Sequence, residues 1–477
     1  MNWPQPFRTE APRRPSPFAI TLDVLAATRA GADQIAERQR QRLADLLQAA
    51  TATRHYRRLL QGQDPRTLPL TALPVTGKAE LMQQFDDRIA DPALTLAGLR
   101  ALCADPQRIA EHHLGRYRVW ESSGSTGEPG LFVQDDTAMA VYDALEASRR
   151  DSPRPWARMI DPLGLGERYA FVGAIGGHFA SLVSFRRLCA ANPWLAAHSR
   201  SFSILQPTAQ LVAQLNDFAP TVVGTYPTAA ALLADEARRG ALRIPVQEVW
   251  TGGETLSPAQ RRHIELGLGC ALRNSYGASE FLPIAWECAQ GQLHVNADWV
   301  ILEPVDAAHR PVRAGHSSQT TLLTNLANHV QPLIRFDIGD SIRLGAVACR
   351  CGCALPVLQV LGRCDDVLMA PGPAGRPVTL LPLALTTVLE DDAGVFDFQL
   401  QQLDARHWRL LLGPGNVCSP VVAERCCDVL TRFVQAQGAV GVQIVTEEVA
   451  ALPLGPSGKL KRVVTLAPAG RRALHKT

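Results

Sequence analysis

The sequence predicts an α/β protein. A large N-terminal domain of parallel or mixed sheets with helices carries a small barrel-like subdomain, and a small α+β C-terminal domain follows. Three observations predict it. Between about residues 169 and 277, short apolar strands alternate with helical stretches, the pattern of a parallel sheet with crossover helices. After Asp298 the strands shorten and alternate apolar with polar residues, as in Trp299-Val300-Ile301-Leu302, Thr321-Leu322-Leu323-Thr324 and Ile342-Arg343-Leu344, which suits an antiparallel or barrel-like unit. Gly362-Arg363-Cys364-Asp365-Asp366 and the breaker cluster Pro371-Gly372-Pro373-Ala374-Gly375 then read as a hinge, separating residues 1–363 from 364–477.

In chain order, the first ~20 residues hold Pro4, Pro6, Pro12, Pro15 and Pro17 and read as an extended arm. From Leu22 to Leu60, apolar residues recur at helical spacing (Ile35, Leu43, Leu46, Leu47). Leu73–Leu81 reads as a turn entering a further helix. A helix is expected from about Thr137 to Arg149. Strands at Tyr169–Val172, Thr221–Gly224, Glu248–Trp250 and Arg273–Ser275 each run into glycine-bearing turns. In sheets of this kind ligands bind outside the carboxyl ends of the strands. The last ~100 residues give a strand pair (396–403 and 408–412), a helix (421–437), a strand (442–445) and the exposed loop Pro453–Lys459.

The chain has 477 residues, 46% hydrophobic and 19% charged, which is an ordinary globular composition. A net charge of +3 gives no electrostatic case for nucleic acid or a membrane surface. No apolar run approaches the ~20 residues that span a bilayer. The N-terminus lacks a basic region followed by an apolar one, so no secretion signal is expected. The 11 cysteines, an odd number scattered through a large chain, speak for a reducing cytoplasm rather than a disulfide framework. Of the 48 basic residues only Lys78, Lys459, Lys461 and Lys476 are lysine. A lysine here is therefore expected where arginine cannot replace a compact ammonium.

Ser122-Ser123-Gly124-Ser125-Thr126-Gly127-Glu128-Pro129-Gly130 follows an apolar, β-prone run. Its glycines let the backbone approach a ligand, and its N–H groups and hydroxyls suit phosphate. It is not a Walker loop, since G-x-x-x-x-G-K-[ST] is absent and no lysine lies nearby in the chain. Alone it reads equally well as a mobile surface loop. In order after it come Gly252-Gly253-Glu254, Tyr276-Gly277-Ala278-Ser279-Glu280, Phe336-Asp337-Ile338-Gly339-Asp340, Gly362–Asp366 and Gly458-Lys459.

That series, over about Arg38 to Arg462, resembles the adenylate-forming (AMP-binding) enzymes. Pro74–Leu81 and Cys349-Arg350-Cys351-Gly352 look like the phenylacetate–CoA ligase branch. The resemblance implies activation of a carboxylic acid by ATP and Mg²⁺, then transfer to CoA or a carrier-protein phosphopantetheine. It implies that Ser122, Ser123, Gly124, Ser125, Thr126 and Gly127 hold the polyphosphate. Ser275, Tyr276, Gly277, Ala278 and Ser279 would present an aromatic face and strand-end backbone to adenine, with Gly252, Gly253 and Glu254 on the other side. Glu280 would be a catalytic Mg²⁺ ligand, Asp340 would accept the ribose hydroxyls, and Arg363 would reach ribose or phosphate. Asp365 falls where members pivot a mobile C-terminal domain, and Lys459 would meet the α-phosphate and the attacking carboxylate. For Lys461 a solvated surface residue is the readier reading. Two departures stand out: Glu128, where members carry lysine or a neutral residue, and Met369-Ala370-Pro371-Gly372-Pro373, where the branch has an Arg-Gly-x-Asn-type turn.

Cys349-Arg350-Cys351-Gly352-Cys353 puts three thiols within five residues, with Cys288 and His294 on an earlier strand pair. Zinc takes four N/S ligands in a tetrahedron. Cys288, His294, Cys349 and Cys351 are the expected structural set, with Cys353 as a substitute; free buried cysteines are the alternative. The acid is expected at the strand ends near Ala174, Gly176, Gly224, Thr225, Tyr226 and Ala278, where small and aromatic residues suit an aryl or arylacetic acid. The competing functions are adenylation with transfer to a carrier protein or an amine, and a catalytically silent nucleotide-binding protein.

Overall fold

The computed structural model describes residues 15–122, 129–149, 161, 165–363, 368–373, 377–380, 382–414, 420–454 and 460–465. Helix Pro17–Thr28 begins inside the stretch expected to be extended. Proline is tolerated at the first helical position, and Ser16 caps the turn by accepting the N–H of Ala19 at 3.2 Å. Helices Ala32–Ala50 and Arg54–Leu59 follow, then Lys78–Gln83 at the expected turn.

A hairpin of β1 (Tyr117–Glu121) and β2 (Leu131–Asp135) brackets the glycine-hydroxyl loop. Helix Asp136–Arg149 leads on to β3 (Tyr169–Gly173), β4 (Ser199–Ser203), β5 (Val222–Thr225), β6 (Glu248–Thr251) and β7 (Ala271–Ala278). These run parallel in the order β4-β3-β5-β6-β7, with helices such as Pro227–Arg238 and Pro258–Leu268 between them. Apolar side chains in register along one face hold the crossover helices: Val172, Val223, Val249 and Leu272 are all buried, in one cluster with Leu211, Ala230 and Ile264.

From β7 the sheet turns antiparallel through β8 (Phe281–Glu287) and β9 (Leu293–Val295). After β10 (Val300–Val305), β11 (Thr320–Asn325) and β12 (Phe336–Asp337) come β13 (Asp340–Leu344) and β14 (Val357–Arg363). The last two complete a nine-stranded mixed sheet among the described residues, in the order β13-β14-β9-β8-β7-β6-β5-β3-β4. The antiparallel unit expected after Asp298 is thus split. β10, β11 and β12 pair with one another, whereas the strand holding Ile342–Leu344 pairs with β14 in the large sheet.

A separate apolar cluster, including Phe398, Trp408, Leu410 and Leu430, organises the residues after 367. β15 (Leu368–Pro371) and β16 (Pro377–Leu380) form a hairpin whose final pair is Pro371 with Pro377. The proline-glycine cluster read as a hinge therefore lies between two paired strands, where proline and glycine suit the end of a ladder. β17 (Phe398–Gln402), β18 (His407–Leu412), β19 (Gln443–Glu448) and β20 (Val463–Thr465) make a mixed sheet in the order β19-β18-β17-β20. Helices Pro382–Asp391 and Pro420–Ala436 pack on it. No helix among the described residues is long and apolar enough to cross a membrane.

Candidate active site

The β1–β2 hairpin meets the residues that follow β3 and β7: the Glu121 N–H donates to the His178 carbonyl at 2.9 Å, and Trp120 reaches Ser279. Ser122 and Gly130 close the neck of the glycine-hydroxyl loop: the Ser122 N–H donates to the Gly130 carbonyl at 2.8 Å, and Ser122 Oγ accepts the Gly130 N–H at 2.8 Å. Ser123, Gly124, Ser125, Thr126, Gly127 and Glu128 lie outside the described residues. The neck is tied to the next motif by the Trp120 indole N–H, which donates to the Ser279 carbonyl at 2.8 Å. A surface cavity of about 380 Å³ between Thr21, Arg118, Met139 and Arg187 lies apart, since none of the expected site residues lines it.

Tyr276, Asp340 and Arg363 converge from β7, β13 and β14. The Tyr276 hydroxyl donates to Asp340 Oδ2 at 2.6 Å, and Arg363 Nη1 meets Asp340 Oδ1 at 3.3 Å. The Thr321 hydroxyl donates to the Asp340 backbone carbonyl at 2.7 Å, which fixes that residue at the strand start. Burial, and then the Asp340 charge, hold the Tyr276 phenol well above its ordinary range, so it stays a donor. A carboxylate oxygen accepts two hydrogen bonds, so Asp340 keeps acceptor capacity for ribose hydroxyls. Gly277 sits at a register shift between β7 and β8, where a Cβ would collide with the Leu282 carbonyl oxygen. Only glycine fits this close approach.

Glu280 lies just beyond, partly buried, with its carbonyl held by Asn325 Nδ2 at 2.9 Å. Its carboxyl is pushed up to about 7, chiefly by burial. Its own backbone N–H, Arg363 and Lys78 act the other way, and the Asp340 charge adds to the rise. A carboxylate in this position is short of positive charge, which suits it to a divalent cation. Lys78 is the residue that sequence reasoning passed over. It opens helix Lys78–Gln83, and its aliphatic stem lies 3.4 Å from where a Cβ on Gly130 would stand. The glycine-hydroxyl loop has no lysine nearby in the chain, yet the fold brings one to its neck. The scarcity of lysine was the signal that could have found it.

On the other side of the cleft, Gly252 packs against Ser275 and Gly253 adopts φ +78°. Glu254 accepts the Thr228 N–H at 3.1 Å and hydroxyl at 2.8 Å, and the Leu460 N–H at 3.1 Å. Lys459 itself is outside the described residues, as are Gly458 and Asp365. The C-terminal unit also meets helix Pro258–Leu268 through Ser257 Oγ with Glu390, Arg262 with Asp391 at 3.2 Å, and stacked His263 and Phe396 rings 4.2 Å apart. The expected acid pocket is drawn together by Tyr226, whose phenol is pushed up to about 12 by burial and reaches the Ala174 backbone and Ser181. The Thr225 hydroxyl donates to the Val172 carbonyl at 2.8 Å. Space remains where the glycines stand: a Cβ on Gly176 would meet nothing within 4 Å, and one on Gly224 only the Ala170 carbonyl at 4.0 Å.

The ligand atoms of Cys288, His294, Cys349 and Cys351 all lie within 4.8 Å of one another. Cys288 and Cys349 sulfurs are 3.9 Å apart, and Cys351 Sγ is 3.3 Å from His294 Nε2. Tetrahedral zinc with bonds of about 2.3 Å to sulfur requires S···S near 3.8 Å, so the spacing fits. His294 Nδ1 donates to the Leu355 carbonyl at 2.8 Å, which turns Nε2 toward the thiols. Gly352, at φ +82°, makes the tight turn. Cys353 points elsewhere, its Sγ lying 3.8 Å from the Thr28 carbonyl, and is not part of the group.

The fold and cleft resemble those of adenylate-forming (AMP-binding) enzymes. The sequence matches no family model. It is 26% identical over 351 residues to a phenylacetate-coenzyme A ligase of Thermus thermophilus, covering 70% of each chain. It is 27% identical over 277 residues to the Escherichia coli K12 enzyme of the same name, covering 54% of this chain and 57% of that one. Among solved structures, a 2-hydroxyisobutyryl-CoA ligase in the postadenylation state superposes with a TM-score of 0.66 at 20% identity, covering 92% of this chain and 90% of that one. The same ligase in its thioesterification state scores 0.53 at 21% identity, covering 93% and 92%. The chain is thus similar in sequence to phenylacetate–CoA ligases and shares the fold of a solved CoA ligase.

Proposed function

We propose that this protein joins a carboxylic acid to CoA in two steps. The acid carboxylate attacks the α-phosphorus of ATP, expelling pyrophosphate and leaving an acyl-adenylate. The CoA thiol sulfur then attacks the acyl carbon and AMP departs. The observation that carries this reading is the convergence of Tyr276, Asp340, Arg363 and Glu280 opposite a C-terminal loop neck docked on Glu254. On this reading these residues would gather nucleotide and metal around one cleft. Two anions must meet in the first step, so a preorganised positive environment is the main requirement.

In this reading, Ser122 through Gly127 grip the β- and γ-phosphates, with Lys78 beside their neck. Tyr276 and the 275–279 backbone flank adenine opposite Gly252 and Gly253. Asp340 takes the ribose hydroxyls, Arg363 stands over ribose and phosphate, and Glu280 holds Mg²⁺, which when bound draws charge from the polyphosphate. Lys459 bridges α-phosphate and carboxylate. Residues after 363 act as a lid pivoting near Asp365, and the better superposition on a postadenylation state supports a lid set for the first step. The space above Gly176 and Gly224, beside Tyr226, favours an aryl or arylacetic acid. Zinc on Cys288, His294, Cys349 and Cys351 would be structural, because four protein ligands leave no open position. Every cysteine among the described residues is a free thiol, which suits the cytoplasm.

Carboxylate-dependent ATP–pyrophosphate exchange over phenylacetate, benzoate and 2-hydroxyisobutyrate tests the first step, and AMP release on adding CoA tests the second. Exchange with no acid would leave a silent nucleotide-binding protein; exchange without CoA-driven AMP release would move the acceptor to a carrier protein or an amine. Metal analysis of chelator-washed protein is expected to find close to one zinc per chain, and a value well below one removes the zinc reading.

A further inference from the structure

The cavity of about 380 Å³ that lies apart from the candidate active site has a chemistry of its own. One wall is a stripe of helix Asp136–Arg149, where Asp136, Met139, Ala140, Asp143, Ala144 and Ala147 recur at intervals of three or four and so share a face. The alanines leave open the space beside the Met139 thioether. Two guanidiniums join the lining, Arg118 from β1 and Arg187 from helix Ala180–Ala191. Both Nε groups are buried, and among the described residues neither has a hydrogen-bond partner. Arg187 is paired with Asp143. Arg118 gives Nη1 to the Ala110 carbonyl and makes no direct ion pair among the described residues. Burial, and then the Arg187 charge, lower its pKa by more than the Asp136 charge restores.

We propose that this cavity is a binding site for a small organic carboxylate with an apolar body, separate from the acid pocket. A buried donor left unmet is costly, and here two stand in one cavity on side chains of the same charge, so an anion is the partner they lack. A carboxylate offers two acceptor oxygens, one for each Nε, and the Met139 and alanine wall would cover its apolar body. A phosphate dianion suits the cavity less, because Asp143 already shares Arg187 and Asp136 adds a second negative charge to the lining. His112, also in the lining, is held below its ordinary range by burial and then by the Arg118 charge, so it adds no positive charge at neutral pH. The volume falls within the roughly 300–1,000 Å³ of small-molecule sites.

The test titrates full-length protein carrying [methyl-13C]methionine with benzoate and with hexanoate, and with inorganic phosphate for comparison, all without ATP. The chain has five methionines, so the spectrum is simple, and M139L identifies the Met139 signal. The Met139 methyl is expected to shift saturably with both acids. R118A should raise the dissociation constant about tenfold or more, the worth of a hydrogen bond to a charged group. A140L fills the cavity without touching a charge and should weaken binding by a similar factor; it decides the matter alone where R118A does not fold. A Met139 signal that neither acid shifts, or folded R118A or A140L that binds within about twofold of wild type, overturns the proposal. Phosphate that shifts Met139 at lower concentration than either acid overturns the choice of a carboxylate. The measurement needs no turnover, so its failure is distinct from a failure of the adenylation reading.

Discussion

Asp298 and Glu280 are carboxylates of the same domain treated in opposite ways. Asp298 is wholly buried and receives both arms of Arg149, at 2.7 and 2.8 Å. The rest of that guanidinium is satisfied by Asn296 at 2.7 Å and the Thr28 hydroxyl at 2.9 Å, and Arg42 stands 3.6 Å from Asp298. This knot joins helix Pro17–Thr28, helix Asp136–Arg149 and the residues before β10. Glu280 leans on its own backbone and on the more distant charges of Arg363 and Lys78, and its carboxyl rises to about 7. Where charge is matched locally the group holds the scaffold. Where it is left short of nearby charge, the group suits the cation that the proposed function gives it.

The sharpest way to break this contrast is D298A, which strands a buried guanidinium. A loss of about 3–5 kcal/mol in urea unfolding is expected, with exchange activity per folded molecule nearly intact. A loss below about 1 kcal/mol would mean the knot is not structural. E280Q should do the reverse. Its stability should stay within about 1 kcal/mol of wild type, since it removes a poorly compensated charge, while exchange falls about 100-fold. Full activity in E280Q, or a variant too unstable to purify, would merge the two classes.

The smallest effect separates both from a partly exposed group. The His55 imidazole is held down to about 4, first by burial and then by the Arg88 and Arg58 charges. Unfolded, it would titrate near 6.5. The unfolded state therefore gains protons first as pH falls, so stability is complete above pH 6.5 and declines toward pH 4. Melting at pH 7 and pH 5 should show a modest fall in Tm that is shallower in H55N; identical slopes would discount His55.

The strands that end in glycine were readable because buried parallel strands carry continuous apolar runs, and the helix opened by Lys78 was readable from its turn. The helix from Pro17 was not, since five prolines outweighed a Ser-Pro start that is itself a capping signal. Pro371–Gly375 signals a break in either a hinge or a hairpin, and only the pairing of β15 with β16 decides between them. Helix Pro382–Asp391 escaped because its short apolar run shows no clear period.

For the candidate site, the residue types and their order were in the sequence by itself: Tyr276, Glu280, Asp340, Arg363 and the four zinc-type ligands, with Lys459 outside the described residues. Their mutual geometry was not. Tyr276 and Asp340 are 64 positions apart, and Trp120 and Ser279 are 159 apart. The tertiary structure alone brought Lys78 to the glycine-hydroxyl loop, turned Cys353 away from the thiol group and joined Glu254 to Leu460. Local chemistry is written in neighbouring residues through propensity, turn and spacing. Distance across a cleft is set by the order of strands in the sheet, and β13-β14-β9-β8-β7 cannot be read from the spacing of its strands along the chain.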